Sequence, residues 1–282
     1  AASNYGGGSA SVVVSGTGSA IAVNSQYVQQ AGTLEISNGG RVQAGSTLYL
    51  GALTGSFAGV VTGAGSTLSS GSVSALGANG SATLTVANGG TISAGNGTQQ
   101  VNLAGVNNTG TGTATLNIGA AVGDAQSAPG RVIASAVHGG SGTATLNFNH
   151  NASAYDFTVP ITGSTNVNQI GSGSTTLTVA NTYTGAANVT GGILRAGAAG
   201  VLSPNPAHSV AAGGTLDLAG FNQTLSSLSN GGTVSLPGST AGNTLTVTGA
   251  YVGNGGTLRL GTAPGESGSA TDRLGLNGAG AG

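Results

Sequence analysis

Ser81-Ala-Thr-Leu-Thr-Val86, Thr113-Ala-Thr-Leu-Asn-Ile118, Thr143-Ala-Thr-Leu-Asn-Phe148 and Ser174-Thr-Thr-Leu-Thr-Val179 are four versions of one short segment. Their central leucines, Leu84, Leu116, Leu146 and Leu177, follow one another at intervals of 32, 30 and 31 residues. Within each segment apolar and hydroxyl side chains alternate with period two, the signature of a strand that buries one face. Thr33-Leu-Glu-Ile36, Thr215-Leu-Asp-Leu218, Thr233-Val-Ser-Leu236, Thr244-Leu-Thr-Val247 and Thr257-Leu-Arg-Leu260 follow the same plan. Helical periodicity is absent, and glycine at this density would cost a helix about 1 kcal/mol per interior residue. The chain reads as all-β.

Short alternating strands also build sandwiches and barrels. Two features favour a solenoid. The strands are near-copies, so each has a matching partner one coil away, and the corners between them repeat. Asn38-Gly-Gly40, Asn88-Gly-Gly90, Asn230-Gly-Gly232 and Asn254-Gly-Gly256 are such corners, as are Gly191-Gly192 and Gly213-Gly214. Asparagine and glycine tolerate the positive φ that a sharp corner needs. One coil cannot hide its apolar face alone, whereas stacked coils bury a continuous column. The expectation is a single-stranded parallel β-helix with coils of about 20–25 residues. Leu, Val, Ile and Ala should point inward, and Thr, Ser and Asn outward or into ladders between coils.

Composition narrows the function classes. The 282 residues include five arginines, no lysine and six acidic residues, for a net charge of −1. Glycine supplies 56 positions and proline six, yet the hydrophobic fraction is 38%, so collapse is favoured over disorder. Arg41, Arg131, Arg195, Arg259 and Arg273 are scattered along the chain, which gives no basic cluster for nucleic acid or an anionic membrane. There is no apolar run of 18 or more residues to span a membrane as a helix. The first residues lack a basic segment followed by an apolar stretch, so an exported form would be a processed or trimmed piece. With no cysteine, disulfides and thiolate metal sites are excluded, which suits an exported protein.

The stretch from Ser174 to Leu236 resembles the passenger-associated repeat of type V autotransporters. The likeness is carried by Thr176-Leu-Thr-Val-Ala-Asn-Thr-Tyr-Thr-Gly185 and Asn188-Val-Thr-Gly-Gly-Ile-Leu194. Ala212-Gly-Gly-Thr-Leu-Asp-Leu-Ala-Gly-Phe-Asn-Gln-Thr-Leu225 and Ser226-Ser-Leu-Ser-Asn-Gly-Gly-Thr-Val-Ser-Leu236 continue it. Gly142-Thr-Ala-Thr-Leu-Asn-Phe-Asn-His150 and Tyr155-Asp-Phe157 are similar to another passenger segment, and Ala270-Thr-Asp-Arg-Leu-Gly-Leu-Asn-Gly278 to the start of the membrane-proximal junction. On this resemblance residues 1–181 are β-helix passenger with roughly 31-residue repeats, 182–260 carry the passenger-associated repeat, and 261–282 begin the junction. It implies a right-handed parallel β-helix, export, and display at the bacterial cell surface by a C-terminal translocator barrel in the outer membrane. It also implies adhesion, often by self-association that drives aggregation and biofilm growth, in some members with a part in virulence.

Residue types that carry catalysis give little to build on. The carboxylates are Glu35, Asp124, Asp156, Asp217, Glu266 and Asp272, with no two close in sequence as a glycosidase pair would favour. His138, His150 and His208 each stand alone, outside any H-x-x-x-H or H-E-x-x-H spacing, and read as surface or turn residues. No serine sits in a nucleophile elbow, no glycine-rich loop leads from a strand into a helix, and the calcium nonapeptide repeat is missing. The expectation is therefore no enzyme, no catalytic or metal site and no cofactor, with the binding residues unassigned.

What remains is a neutral, hydroxyl-rich surface. It points first to an adhesin that pairs with another copy of itself through rows of Thr, Ser and Asn. A host or bacterial surface component as partner, a plain stalk, and a β-helical carbohydrate-active enzyme are the alternatives. Thr83/Thr85, Thr113/Thr115 and Thr143/Thr145 also form the Thr-x-Thr pattern of ice-binding faces, interrupted by Asn117 and Asn147. Residues 119–138 and 149–163 break the strand pattern and read as protruding loops, around which Phe148, Tyr155 and Phe157 either bind a partner or plug the core.

Overall fold

The computed structural model describes residues 9–105, 109–265, 268–278 and 280–281. Among them the chain is built from short strands with no α-helix, and a single 3-10 turn at Gly95–Gly97. Strand pairs with neighbouring strands throughout in the parallel sense, for example Ala10–Ser15 with Gly32–Ser37 and Thr215–Asp217 with Thr233–Ser235. Parallel pairing between consecutive coils, with three strand faces per coil, is the architecture of a parallel β-helix. A sandwich of antiparallel hairpins is ruled out by the same observation.

The described chain divides into two compact units. The first runs to Asn151 and takes in Val159–Asn166; the second comprises Ala152–Thr158 and the residues from Val167 onward. In the first unit one coil contributes Gly32–Ser37, Arg41–Ala44 and Leu48–Leu50, and the next contributes Ser56–Thr62, Thr67–Ser70 and Ser74–Leu76. The coils vary in length, because Ala10 pairs with Gly32, Gly32 with Phe57 and Ser81 with Thr113, steps of 22, 25 and 32 residues. In the second unit Thr175 pairs with Leu194 and Leu194 with Leu216, steps of 19 and 22.

The core of the first unit follows directly from this register. Val12, Leu34, Gly59, Leu84, Leu116 and Leu146 form one row, and Val14, Ile36, Val61, Val86, Ile118 and Phe148 form another. From Leu34 onward, the side chains of both rows are almost wholly buried. Each buried aliphatic or aromatic side chain contributes about 1.5–3 kcal/mol relative to exposure, repeated at every coil. Gly59 interrupts the leucine row for a packing reason: Phe57 leans over it. A Cβ on Gly59 would lie 2.8 Å from the Phe57 ring and 3.0 Å from Leu84 Cδ1.

The Asn-Gly-Gly corners at residues 38–40 and 88–90 have a two-part logic, which those at 230–232 and 254–256 do not share in full, since Asn230, Gly231 and Asn254 keep negative or extended φ. Asn38 and Gly39 adopt positive φ of 54° and 85°, and Asn88 and Gly89 do the same. Gly40 does not, yet a Cβ there would sit 2.2 Å from the Val14 carbonyl oxygen of the preceding coil. The first two residues turn the chain and the third lets one coil lie against the next. The Asn38 amide also donates to Ser15 Oγ at 3.0 Å, tying the corner to the coil before it.

Two expectations are corrected. The first three repeat segments stack in register, but the fourth lies on another face of its own unit: Leu177 pairs with Phe157 and with Ala196. Hydroxyl and amide side chains are also not uniformly outward. Thr175 is buried and donates to Gln169 Oε1 at 2.7 Å, while the Gln169 amide donates to the carbonyls of Gly171 and Gly173. Gln29 plays the same part in the first unit, donating to the carbonyl of Thr33 at 2.9 Å and accepting from Tyr27 Oη. Inward amides of this kind bond to backbone carbonyls at and beside the corners, so their own polar groups are paired inside the column.

Candidate adhesion surface

Register converts the outward residues of each strand into rows. On the face that carries the repeat segments, Ser56, Ser81, Thr113 and Thr143 make an exposed row. Beside it runs a second row, exposed at Thr33 and Ala58 and half-exposed at Thr83, Thr115 and Thr145. The threonine repetition in sequence is thus a spatial array, two rows wide and several rungs long.

The third row of this face does something else. Thr85, Asn117 and Asn147 are aligned, and the two asparagines are only 1% and 3% exposed. Asn147 Nδ2 donates to Asn117 Oδ1 at 2.9 Å, and Asn117 Nδ2 donates to Thr85 Oγ1 at 3.2 Å. The row is covered by the segment that follows Gly119. Its Ala128 carbonyl accepts from Asn88 N at 2.8 Å, its Pro129 bridges Ala87, and Ser127 bridges His150. Asn149 Nδ2 donates to the carbonyls of Ala120 and Ala121. The expected protruding loop is therefore anchored at both ends against the wall beside it, and the asparagine ladder lies beneath it.

Of the aromatic residues near the loops, Phe148 and Phe157 are buried, so they plug the core. Tyr155 is half-buried with its ring 6.4 Å from that of Phe157.

In the second unit, Asn168, Asn188, Ser209 and Ser229 form a row. Asn188 Nδ2 donates to Asn168 Oδ1 at 2.9 Å and Ser209 Oγ to Asn188 Oδ1 at 2.7 Å, so much of its polar capacity is used internally. The neighbouring face carries Asp156, Thr176, Arg195, Asp217, Ser235 and Arg259 in line. There Arg195 Nε lies 3.4 Å from Asp217 Oδ2, a partly solvated pair worth little to stability.

The histidines need correction too. His150 and His208 are buried rather than in turns at the surface, and His138 is half-buried with Nδ1 2.9 Å from Thr162 Oγ1. Burial lowers the pKa of all three, to about 4 for His150 and His208. His208 holds an inward position between Ala187 and Leu228, a signal the strand pattern contained.

The carboxylates are dispersed. Glu35 accepts from Ser37 Oγ at 3.0 Å on the repeat face, Asp124 lies in the covering segment, and Glu266 falls outside the described residues. Asp272 accepts from the backbone N–H groups of Gly242, Asn243 and Gly261 at 2.8–2.9 Å and from Asn243 Nδ2. Those bonds hold its carboxyl below the usual carboxylate range although burial opposes them. It clamps two loops together. Among the described residues no three His, Asp or Glu side chains are grouped to hold a metal ion, and no helix is long and apolar enough to cross a membrane.

Over 79 residues, 28% of this chain, it is 46% identical to the adhesin BmaC autotransporter of Brucella suis biovar 1. Part of this chain is similar to an autotransporter adhesin. Over 131 residues, 46% of the chain, it is 33% identical to the uncharacterized protein YuaQ of Escherichia coli K12. The matched segments span 2% and 9% of those relatives, so the chain corresponds to a small part of each. No family model matches the chain, and no solved structure matches it.

Proposed function

We propose that this chain is a stretch of a surface-displayed autotransporter passenger that acts as an adhesin by self-association. The observation that carries the reading is the 46% identity to an autotransporter adhesin in a chain folded as a parallel β-helix. The surface supports a partner of the same kind. Thr113 and Thr143 stand exposed in line, and their side chains make no hydrogen bond within the described residues. Two such rows meeting face to face gain about 0.5–1.5 kcal/mol per hydrogen bond, and many chains per cell multiply that into avidity. A net charge of −1 leaves little long-range repulsion between copies.

In this reading the site of action is the bacterial cell surface, the longer protein supplies the translocator barrel, and the chain performs no catalytic step. The test is to display the full parent protein on fluorescently tagged cells and mix them with differently coloured cells that either display it or lack it. Mixed clumps of the two displaying populations are expected, with lysine at Thr113 and Thr143 dispersing them. Failure to clump, or equal clumping with bare cells, overturns self-association.

A further inference from the structure

The five arginines look scattered in sequence, but register brings two of them onto one face of the first unit. Arg41 pairs with Thr67, Thr67 with Thr91 and Thr91 with Arg131, so the arginines stand three rungs apart in one outward row. At about 4.8 Å per rung that is roughly 14 Å. The adjacent outward row is Gln43, Ser69, Ser93 and Ile133. Between the rows Val42, Leu68, Ile92 and Val132 point into the core.

The surface over these rows is concave. Arg41, Gln43, the four hydroxyl residues, Asn96 and Ile133 line a groove of about 420 Å³. Arg131 stands next in the arginine row, one rung beyond Thr91 and outside that lining. The strands of this face, Ala20–Val23, Arg41–Ala44, Thr67–Ser70, Thr91–Ala94 and Arg131–Ile133, contain no acidic residue.

The groove differs from the ladders elsewhere in one respect. The side chains of Arg41, Gln43, Thr91, Ser93, Asn96 and Arg131 make no hydrogen bond or ion pair among the described residues. Apart from Ser93, which is only 7% exposed, these groups reach solvent, while on the rung between them Thr67 Oγ1 donates to the Gly65 carbonyl and Ser69 Oγ to the Val42 carbonyl. The buried Asn147–Asn117–Thr85 row, by contrast, is closed on itself.

We propose that this groove binds an acidic polysaccharide lying along the arginine row. Each guanidinium fork would engage a carboxylate or sulfate, and the serine, threonine, glutamine and asparagine side chains would bond the sugar hydroxyls between them. A protein partner fits less well, because protein interfaces centre on aromatic and apolar anchors and this groove offers one isoleucine. Single-stranded nucleic acid would need aromatic platforms for its bases, and the groove has none. The assignment is independent of self-association, since it concerns a different face and a different partner.

The test uses the purified chain with polygalacturonate, dextran sulfate, neutral dextran and a single-stranded oligonucleotide as immobilised probes. Binding to at least one acidic polysaccharide and not to neutral dextran is expected. Arg41→Gln with Arg131→Gln should weaken it about tenfold or more, while Arg259→Gln with Arg273→Gln, the same loss of charge elsewhere, should leave it within about twofold. Both pairs are exposed, and unchanged circular dichroism confirms that each variant is folded. Any of three results overturns the proposal: no binding by the folded chain, equal loss from the two arginine pairs, or an oligonucleotide bound as tightly as the polysaccharides.

Discussion

His208 should make stability depend on pH in a defined window. Its imidazole is 4% exposed, its Nδ1 lies 3.1 Å from the Pro206 carbonyl oxygen, and its Nε2 has no partner among the described residues. A proton added at Nε2 would place a charge in the core with no acceptor facing it. Burial accordingly lowers the pKa from 6.5 to about 4, with the Pro206 bond opposing. The unfolded chain therefore binds the proton first. Stability is complete above about pH 6.5, falls as pH drops, and levels off below about pH 4. At about 1.4 kcal/mol per pKa unit, the loss is about 2 kcal/mol by pH 5 and about 3 kcal/mol at its limit. Replacing His208 with leucine, which suits a position between Ala187 and Leu228, removes this dependence. His150 shifts in the same direction but remains in both proteins, so it cancels in the comparison. Urea titrations of parent and variant at pH 8 and pH 5, followed by circular dichroism, should show the parent losing about 2 kcal/mol more than the variant. Equal losses would refute the claim that His208 is buried neutral.

Two further outcomes follow from packing and from the loop clamp. Leu116→Ala, at a fully buried place between Leu84 and Leu146, should cost about 2–5 kcal/mol in urea denaturation, and a cost below about 0.5 kcal/mol would argue against a continuous column. Asp272→Ala removes an acceptor of four hydrogen bonds that joins residues 242–243 to 261, so limited proteolysis should open that region first, whereas an unchanged cleavage pattern would show the clamp to be dispensable.

The segments that reveal the fold in sequence are near-copies stacked in register. Leu84, Leu116 and Leu146 share a row because the same alternation recurs at each coil. Leu177 has the same local pattern and takes a different face, since period two decides which side chains turn inward and not which of three faces a strand joins. Asn117 and Asn147 read as outward by alternation, and so they are relative to the column. They are buried because residues 120–130, which have no periodicity, lie over them. The candidate groove was illegible for a third reason. Arg41 and Arg131 are 90 residues apart in sequence but three rungs apart in space, and only the rung-by-rung pairing shows that they share a row.

That difference between rows bears on how such a surface can bind. A β-helix forces its outward residues into lines, and a line of asparagines at rung spacing satisfies itself, as Asn168 and Asn188 do at 2.9 Å. Exchanging those bonds for bonds to a partner gains little, because one hydrogen bond replaces another. Arginine rows cannot close in this way, since guanidinium groups only donate. Thr113 and Thr143 stand on adjacent rungs without bonding each other and keep their hydroxyls toward water. Binding is therefore weighted toward rows that do not pair within the chain: Thr113 with Thr143 on one face, and Arg41 with Arg131 on another. The first suits a second copy of a near-neutral surface, and the second suits a polyanion. Lysine at Thr113 and Thr143 tests one face while leaving the other untouched, so a chain that loses clumping but keeps polysaccharide binding would show that the two faces act separately.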